Sequence, residues 1–162
     1  MAVPRVWEKM EEKIAAIGAQ TTGLKRKIAD WAKAMGPDGT YAEINGGQTP
    51  RGWGLAKKLV FNKIKENLGL DQCDTFAFSA APMKDSTREF FLNLNIYLHN
   101  IYGMSEMAGP HTWTNPASLS SFKGPAAMKE AGVVAEGAQL CINNPDADGN
   151  GEICMRGNNV LN

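Results

Sequence analysis

The sequence has little with which to build a metal site or a disulfide framework. It has three cysteines, an odd number, with no CxxC spacing, and only two histidines, His99 and His111. Neither a zinc centre nor a stapled fold suits such a set. Cys73, Cys141 and Cys154 are expected to be buried small hydrophobes of a protein in a reducing compartment.

Long apolar runs are also missing. Residues 90–105 carry no formal charge, but Asn93, Asn95, His99 and Asn100 interrupt them, and the run is shorter than the roughly 20 apolar residues of a spanning helix. Glu8, Glu11 and Glu12 close behind Arg5 do not fit a signal or transit peptide. The expected location is therefore cytoplasmic. No basic stripe interleaved with aromatics occurs, which argues against nucleic acid as a partner. No low-complexity tract occurs either, so disorder is not expected to dominate.

What remains is ordinary globular composition, 43% hydrophobic and 21% charged over 162 residues. That is about one domain, able to bury roughly 68 to 70% of its unfolded surface. The net charge of zero divides unevenly. Residues 1–68 hold 12 Lys/Arg against 7 Asp/Glu, and residues 69–162 hold 5 against 10, or +5 and −5. The plain explanation is that the helical part is richer in Lys. The alternative is steering of an anionic ligand, or peripheral contact of the basic part with an anionic membrane.

Apolar periodicity divides the chain into three stretches: 1–70 mostly helical, 71–106 a strand-helix-strand unit, and 107–162 extended segments with a hairpin. Val6, Trp7, Met10, Ile14 and Ile17 recur at helical spacing after Pro4, and Gly18 stands where a helix would stop. Leu24, Ile28, Trp31 and Met35 mark a second helix, ended by Gly36-Pro37. Lys25-Arg26-Lys27 at its start reads as a solvated face, or else as a membrane or partner contact. Residues 36–54, rich in Gly and Pro, are expected to be a loop. Leu55, Leu59, Val60, Ile64 and Leu68 mark a third helix, closed by Gly69.

From Cys73 the pattern changes. Residues 75–78 read as a strand, Ser79-Ala80-Ala81-Pro82 as a turn, Asp85 or Ser86 as the cap of a helix through Leu94, and residues 96–102 as a second strand. Strand, helix and strand within about thirty residues form a parallel crossover, and ligands in such sheets sit at the carboxyl ends of the strands. The Ser79 turn and the segment Tyr102-Gly103-Met104-Ser105-Glu106 follow those two ends, so both are expected to face one crevice. An aromatic plate can stack on a base, Gly allows close approach, a hydroxyl can donate to phosphate, and a carboxylate can bind Mg²⁺.

Further on, residues 133–135, 138–142 and 152–156 read as extended, the last two forming a hairpin across residues 143–151. Asp146-Ala147-Asp148-Gly149-Asn150-Gly151-Glu152-Ile153 matches the opening of a calcium-binding EF-hand loop. Gly157 stands where the twelfth-position Glu is required, and strands flank the loop where helices would be needed, so calcium is not expected.

Ser79-Ala80-Ala81-Pro82-Met83, then Tyr102 through Glu106, then Gly151-Glu152-Ile153-Cys154-Met155-Arg156-Gly157 together resemble the adenylate-forming superfamily. Val3-Pro4-Arg5-Val6-Trp7-Glu8-Lys9 and the run YGMSEMAGPHT from Tyr102 to Thr112 narrow the resemblance to long-chain acyl-CoA synthetases of the bubblegum type, over nearly the whole chain. The resemblance implies an α/β fold, part of the N-terminal domain of such an enzyme, and ATP-dependent activation of a long-chain fatty acid. The fatty-acid carboxylate would attack the α-phosphate to give acyl-adenylate and pyrophosphate, and coenzyme A would then take the acyl group. By position, Ala80 and Ala81 would lay their backbone along adenine, with Ser79 and Gly103 beside them, and Tyr102 would stack on the other face. Asn100 would reach the adenine edge, Ser105 would bond the α-phosphate, and Glu106 would hold Mg²⁺.

One departure is local, since the family usually has Gly where Ser79 stands, and its side chain could crowd the adenine. His111 is assigned a structural hydrogen bond in preference to the acyl pocket wall. Met104 and Met107 are assigned to packing. The family's Ser/Thr/Gly-rich phosphate loop, its Thr-Gly-Asp motif and the catalytic Lys of its small C-terminal domain have no counterpart in these residues, so the chain is expected to be an internal piece of a longer synthetase and inactive alone.

Base stacking offers about 1 to 3 kcal/mol and a charge-assisted hydrogen bond about 1.5 to 3, whereas association costs about 4 to 15. ATP affinity no better than about millimolar follows. A module that only binds nucleotide, or a fragment that docks a partner through an exposed apolar patch or sheet edge, are the alternatives.

Overall fold

The computed structural model describes residues 1–114 and 131–161. The expected extended region at 107–162 thus falls outside the described residues at 115–130 and 162. The fold is α/β. Helix α1 (Pro4–Gln20) begins on the proline, whose missing N–H costs nothing at a first turn. It turns Trp7 inward with Met10 and Ile14, while Val6 and Ile17 stay exposed. The Trp7 indole N–H donates to the Ala77 carbonyl at 3.2 Å, and its ring meets Phe91 edge-on at 5.2 Å. One side chain thereby ties the first helix to the sheet and to the crossover helix.

Helix α2 (Gly23–Ile44) overturns the expected stop at Gly36-Pro37. Pro37 withholds an N–H from the Lys33 carbonyl, at a cost of about 3 kcal/mol in a helix interior. Packing outweighs it. A Cβ on Gly36 would collide with the Asn93 backbone, and one on Gly39 with the Trp53 ring. The two glycines therefore let the helix lie directly against both. Burying a Trp removes about 150 to 250 Å² from water, worth about 4 to 6 kcal/mol. Thr40 adds a hydroxyl hydrogen bond to the Leu92 carbonyl at 3.1 Å. The expected loop thus shrinks to residues 45–52.

The third helical stretch runs as α3 (Trp53–Ala56), a π-helical turn (Lys57–Phe61) and α4 (Asn62–Leu68), closed by Gly69 at φ 69° as expected. Strand β1 (Phe76–Phe78), helix α5 (Asp85–Leu92) and strand β2 (Leu98–Tyr102) form the crossover, with β1 and β2 parallel and Phe78 opposite Asn100. Lys84, and neither Asp85 nor Ser86, occupies the N-cap; Asp85 lies in the first turn, where its charge suits the helix dipole. Strands β3 (Thr112–Trp113) and β4 (Val133–Val134) extend the sheet antiparallel beyond β2, in the order β1-β2-β3-β4. Ala2 bridges to Phe78 on the other side of β1. Strands β5 (Ala138–Asn143) and β6 (Glu152–Gly157) form the expected hairpin.

The core is aromatic. Trp7, Phe76, Phe78, Phe91, Ile96 and Leu98 make one cluster between α1, α5 and the sheet, and Trp53, Phe61 and Leu94 anchor a second under α2. The cysteines are not in either. Cys73 and Cys141 are exposed and Cys154 is half-buried, contrary to the expected burial. Two of them lie in the hairpin, whose residues are mostly exposed on both faces.

Candidate functional site

Parallel pairing fixes the geometry of the site before any side chain is considered. Because Phe78 is level with Asn100, the chain leaves β1 into Ser79 and leaves β2 through Ile101 and Tyr102 at the same edge of the sheet. The Ser79-Ala80-Ala81-Pro82 turn and the Tyr102 to Glu106 segment thus emerge side by side from carboxyl ends, the end at which α/β sheets hold ligands.

The first turn is strained. Ala80 sits at φ 76°, the left-handed region that a Cβ disfavours by about 1 to 2 kcal/mol. Such outliers concentrate where a backbone is shaped for a ligand. Ser79, which replaces the customary Gly, is not among the positive-φ residues, so its side chain carries no backbone strain. Ala80 and Ala81 are exposed, leaving their peptide groups accessible.

The second segment is anchored from behind. Asn100 exchanges backbone hydrogen bonds with Thr114: its N–H donates to the Thr114 hydroxyl at 2.8 Å, and its carbonyl accepts from the Thr114 N–H at 2.9 Å. The Tyr102 carbonyl accepts from the His111 N–H at 2.8 Å. Gly103 packs closely, since a Cβ there would lie 3.2 Å from the Gly109 carbonyl oxygen. The chain then turns sharply, with the Met107 N–H on the Met104 carbonyl at 3.2 Å, placing Ser105 and Glu106 at the tip. Leu161 N–H to the Glu106 carbonyl at 2.8 Å and Ala108 N–H to the Asn159 carbonyl at 2.7 Å hold the turn from below. Among the described residues, no hydrogen bond or ion pair engages the Glu106 carboxylate or the Ser105 hydroxyl, and both residues are exposed.

His111 is fully buried, with Nε2 donating to the Gln139 carbonyl at 3.1 Å, which fits the structural role expected of it. Met107 is buried and Met104 half-buried, as packing residues. The supports from Thr114, Asn159 and Leu161 had no signal in the sequence, because each joins groups that only the fold brings together.

A separate crevice of about 340 Å³ opens at the opposite, amino end of β1 and β2, lined by Glu43, Lys57, Lys65, Asp74, Tyr97 and His99 among others. Lys57 pairs with Glu43 at 2.7 Å. Burial, reinforced by Lys57, lowers the Lys65 pKa. Tyr97 and His99 stack edge-on at 4.8 Å, and His99 Nδ1 donates to the Thr114 carbonyl at 2.7 Å. None of the expected nucleotide-binding residues lines this crevice. Asp146, the first residue of the EF-hand-like run, uses its carboxylate locally, accepting the Asp148 and Asn150 N–H groups at 2.9 and 2.8 Å.

Compared with known proteins, residues 1–162 match the family of AMP-binding enzymes along their whole length. The chain belongs to that family. It is similar to the long-chain-fatty-acid–CoA ligase ACSBG2 of Xenopus laevis, 44% identical over 162 residues, which covers 99% of this chain and 21% of the relative. The ACSBG2 ligase of Gallus gallus is 42% identical, covering 99% and 20%, and the ACSBG1 ligase of Rattus norvegicus is 36% identical, covering 99% and 21%. The chain thus spans about a fifth of the length of the curated relatives it matches.

Proposed function

We propose that this chain supplies the adenine, α-phosphate and Mg²⁺ contacts of a long-chain-fatty-acid CoA ligase. The observation that carries this reading is the emergence of both loops from one edge of the parallel pair, one strained at Ala80 and the other offering an unengaged Glu106 carboxylate. In this reading the Ala80-Ala81 backbone, Ser79 and Gly103 line the base, Tyr102 stacks on it and Asn100 meets its edge. Ser105 bonds the α-phosphate. The donors suit Mg²⁺, a hard cation that takes carboxylate and phosphate oxygens, and Glu106 would hold it, neutralising charge on the phosphates.

In the complete reaction a fatty-acid carboxylate oxygen bonds to the α-phosphorus as pyrophosphate leaves, and coenzyme A then displaces AMP from the acyl carbon. This chain's residues contribute position and charge complementarity, which carry most of the rate in such transfers. Any contact with an anionic membrane surface would fall to Lys25 and Lys27. Arg26 is engaged by Asp30 at 2.9 Å and by the Gly18 carbonyl at 3.2 Å.

Calorimetric titration of ATP tests the reading. With Mg²⁺ present, binding should be no tighter than about millimolar, and Glu106→Gln should weaken it about tenfold, or about 1.4 kcal/mol. In EDTA the two proteins should bind alike. Equal binding by both proteins in Mg²⁺ would contradict the role of Glu106. Saturable micromolar binding would favour a nucleotide-binding module that is complete in itself.

A further inference from the structure

Cys141 and Cys154 face each other directly across the β5–β6 hairpin. Directly opposed residues of an antiparallel pair have Cβ atoms about 4.5 to 5.5 Å apart and Cα atoms about 4.5 to 5.5 Å apart. Disulfides form at Cα separations of about 4.4 to 6.8 Å. The two side chains lie on the hairpin's polar face, between the facing pairs Gln139–Arg156 and Asn143–Glu152, while Leu140, Ile142, Ile153 and Met155 occupy the other face. Both thiols are free, that of Cys141 exposed and that of Cys154 half-buried.

We infer that Cys141 and Cys154 form a cross-strand dithiol, a modification site for small-molecule disulfides. The exposed Cys141 thiolate attacks one sulfur of the disulfide and expels a thiolate. The Cys154 thiolate then attacks the Cys141 sulfur and expels the second. Two protein thiols are oxidised to one disulfide, the reagent is reduced to two thiols, and the protons released go to the expelled thiolates.

The order follows from access. Burial, together with Cys141 and Glu152, also raises the Cys154 pKa, which disfavours it as the first nucleophile. The bond would join the two strands that brace the candidate site. Near Cys141, the Gln139 carbonyl holds His111. Beyond Cys154, Asn159 and Leu161 hold the turn that carries Glu106.

The full chain, incubated with oxidised glutathione and mapped by mass spectrometry without reduction, tests the inference. A Cys141–Cys154 cross-linked peptide is expected, with Cys73 outside it. In Cys154→Ser, glutathione should accumulate on Cys141 at least about tenfold over wild type, because the intramolecular thiol at millimolar effective concentration is gone. Equal glutathione loads on Cys141 in both proteins, or wild-type maps holding only separate mixed disulfides or links between molecules, would overturn it. The wild-type map decides even if the variant fails to fold.

Discussion

Gly18 and Gly36 stand in consecutive helices with opposite consequences for substitution. A Cβ on Gly18 meets nothing within 4 Å, whereas one on Gly36 runs into the Asn93 backbone, which cannot swing aside as a flexible side chain would. Gly18→Ala should leave stability unchanged or raise it by up to about 1 kcal/mol. Gly36→Ala should lower it by about 1 to 3 kcal/mol, the usual cost of overpacking. Urea denaturation of the two variants beside wild type checks both signs, and equal midpoints would mean that the α2 contact is not tight. The same contrast explains a limit on what the sequence discloses. Gly36 beside Pro37 spells a helix end in local terms, and only the surface it meets, some sixty residues later, reveals that glycine is there for proximity. Ala80 is the reverse case. Its sequence context announces a turn, but nothing in it announces a left-handed alanine.

At the scale of elements, the crossover and the hairpin were legible because each carries a local pattern, alternating or apolar residues bounded by turn formers. Strand β4 falls within the extended residues 133–135 expected of the sequence, but β3 was harder, since a two-residue strand has no periodicity of its own and exists only through its partners. The hairpin loop has its own pH dependence. Hydrogen bonds from the backbone and side chain of Asn150, with others from the Asp148 and Gly149 backbone, hold the Asp146 carboxyl below its ordinary pKa. Because the folded value is the lower one, this contribution is fully present above the unfolded pKa of about 4 and is lost as pH falls through the folded value. Amide exchange at Asn150 and Asp148, corrected for intrinsic rates, should quicken below about pH 4. In Asp146→Ala it should already be fast at neutral pH. Exchange independent of both pH and the substitution would show that the carboxylate does not order the loop.

For the whole molecule, the decisive fact is proportion, about a fifth of its relatives' length. Leu140, Ile142 and Ile153 on the hairpin and Trp113 in the sheet are exposed. Positioning supplies most of the rate in transfers of this kind, and these residues include no Ser/Thr/Gly-rich phosphate loop. The chain alone should therefore give no ATP–pyrophosphate exchange with palmitate above a blank, and turnover would refute that. We propose that the two loop tips at the carboxyl edge of β1 and β2 form one nucleotide cleft. Residue-resolved NMR titration with ATP and Mg²⁺ tests it most directly. Shifts should converge on Ala80, Ala81, Asn100, Tyr102 and Ser105, with the Mg²⁺-dependent part lost in Glu106→Gln. Shifts confined to the amino-end crevice around Lys57, Lys65 and His99, with the loop tips silent, would contradict it.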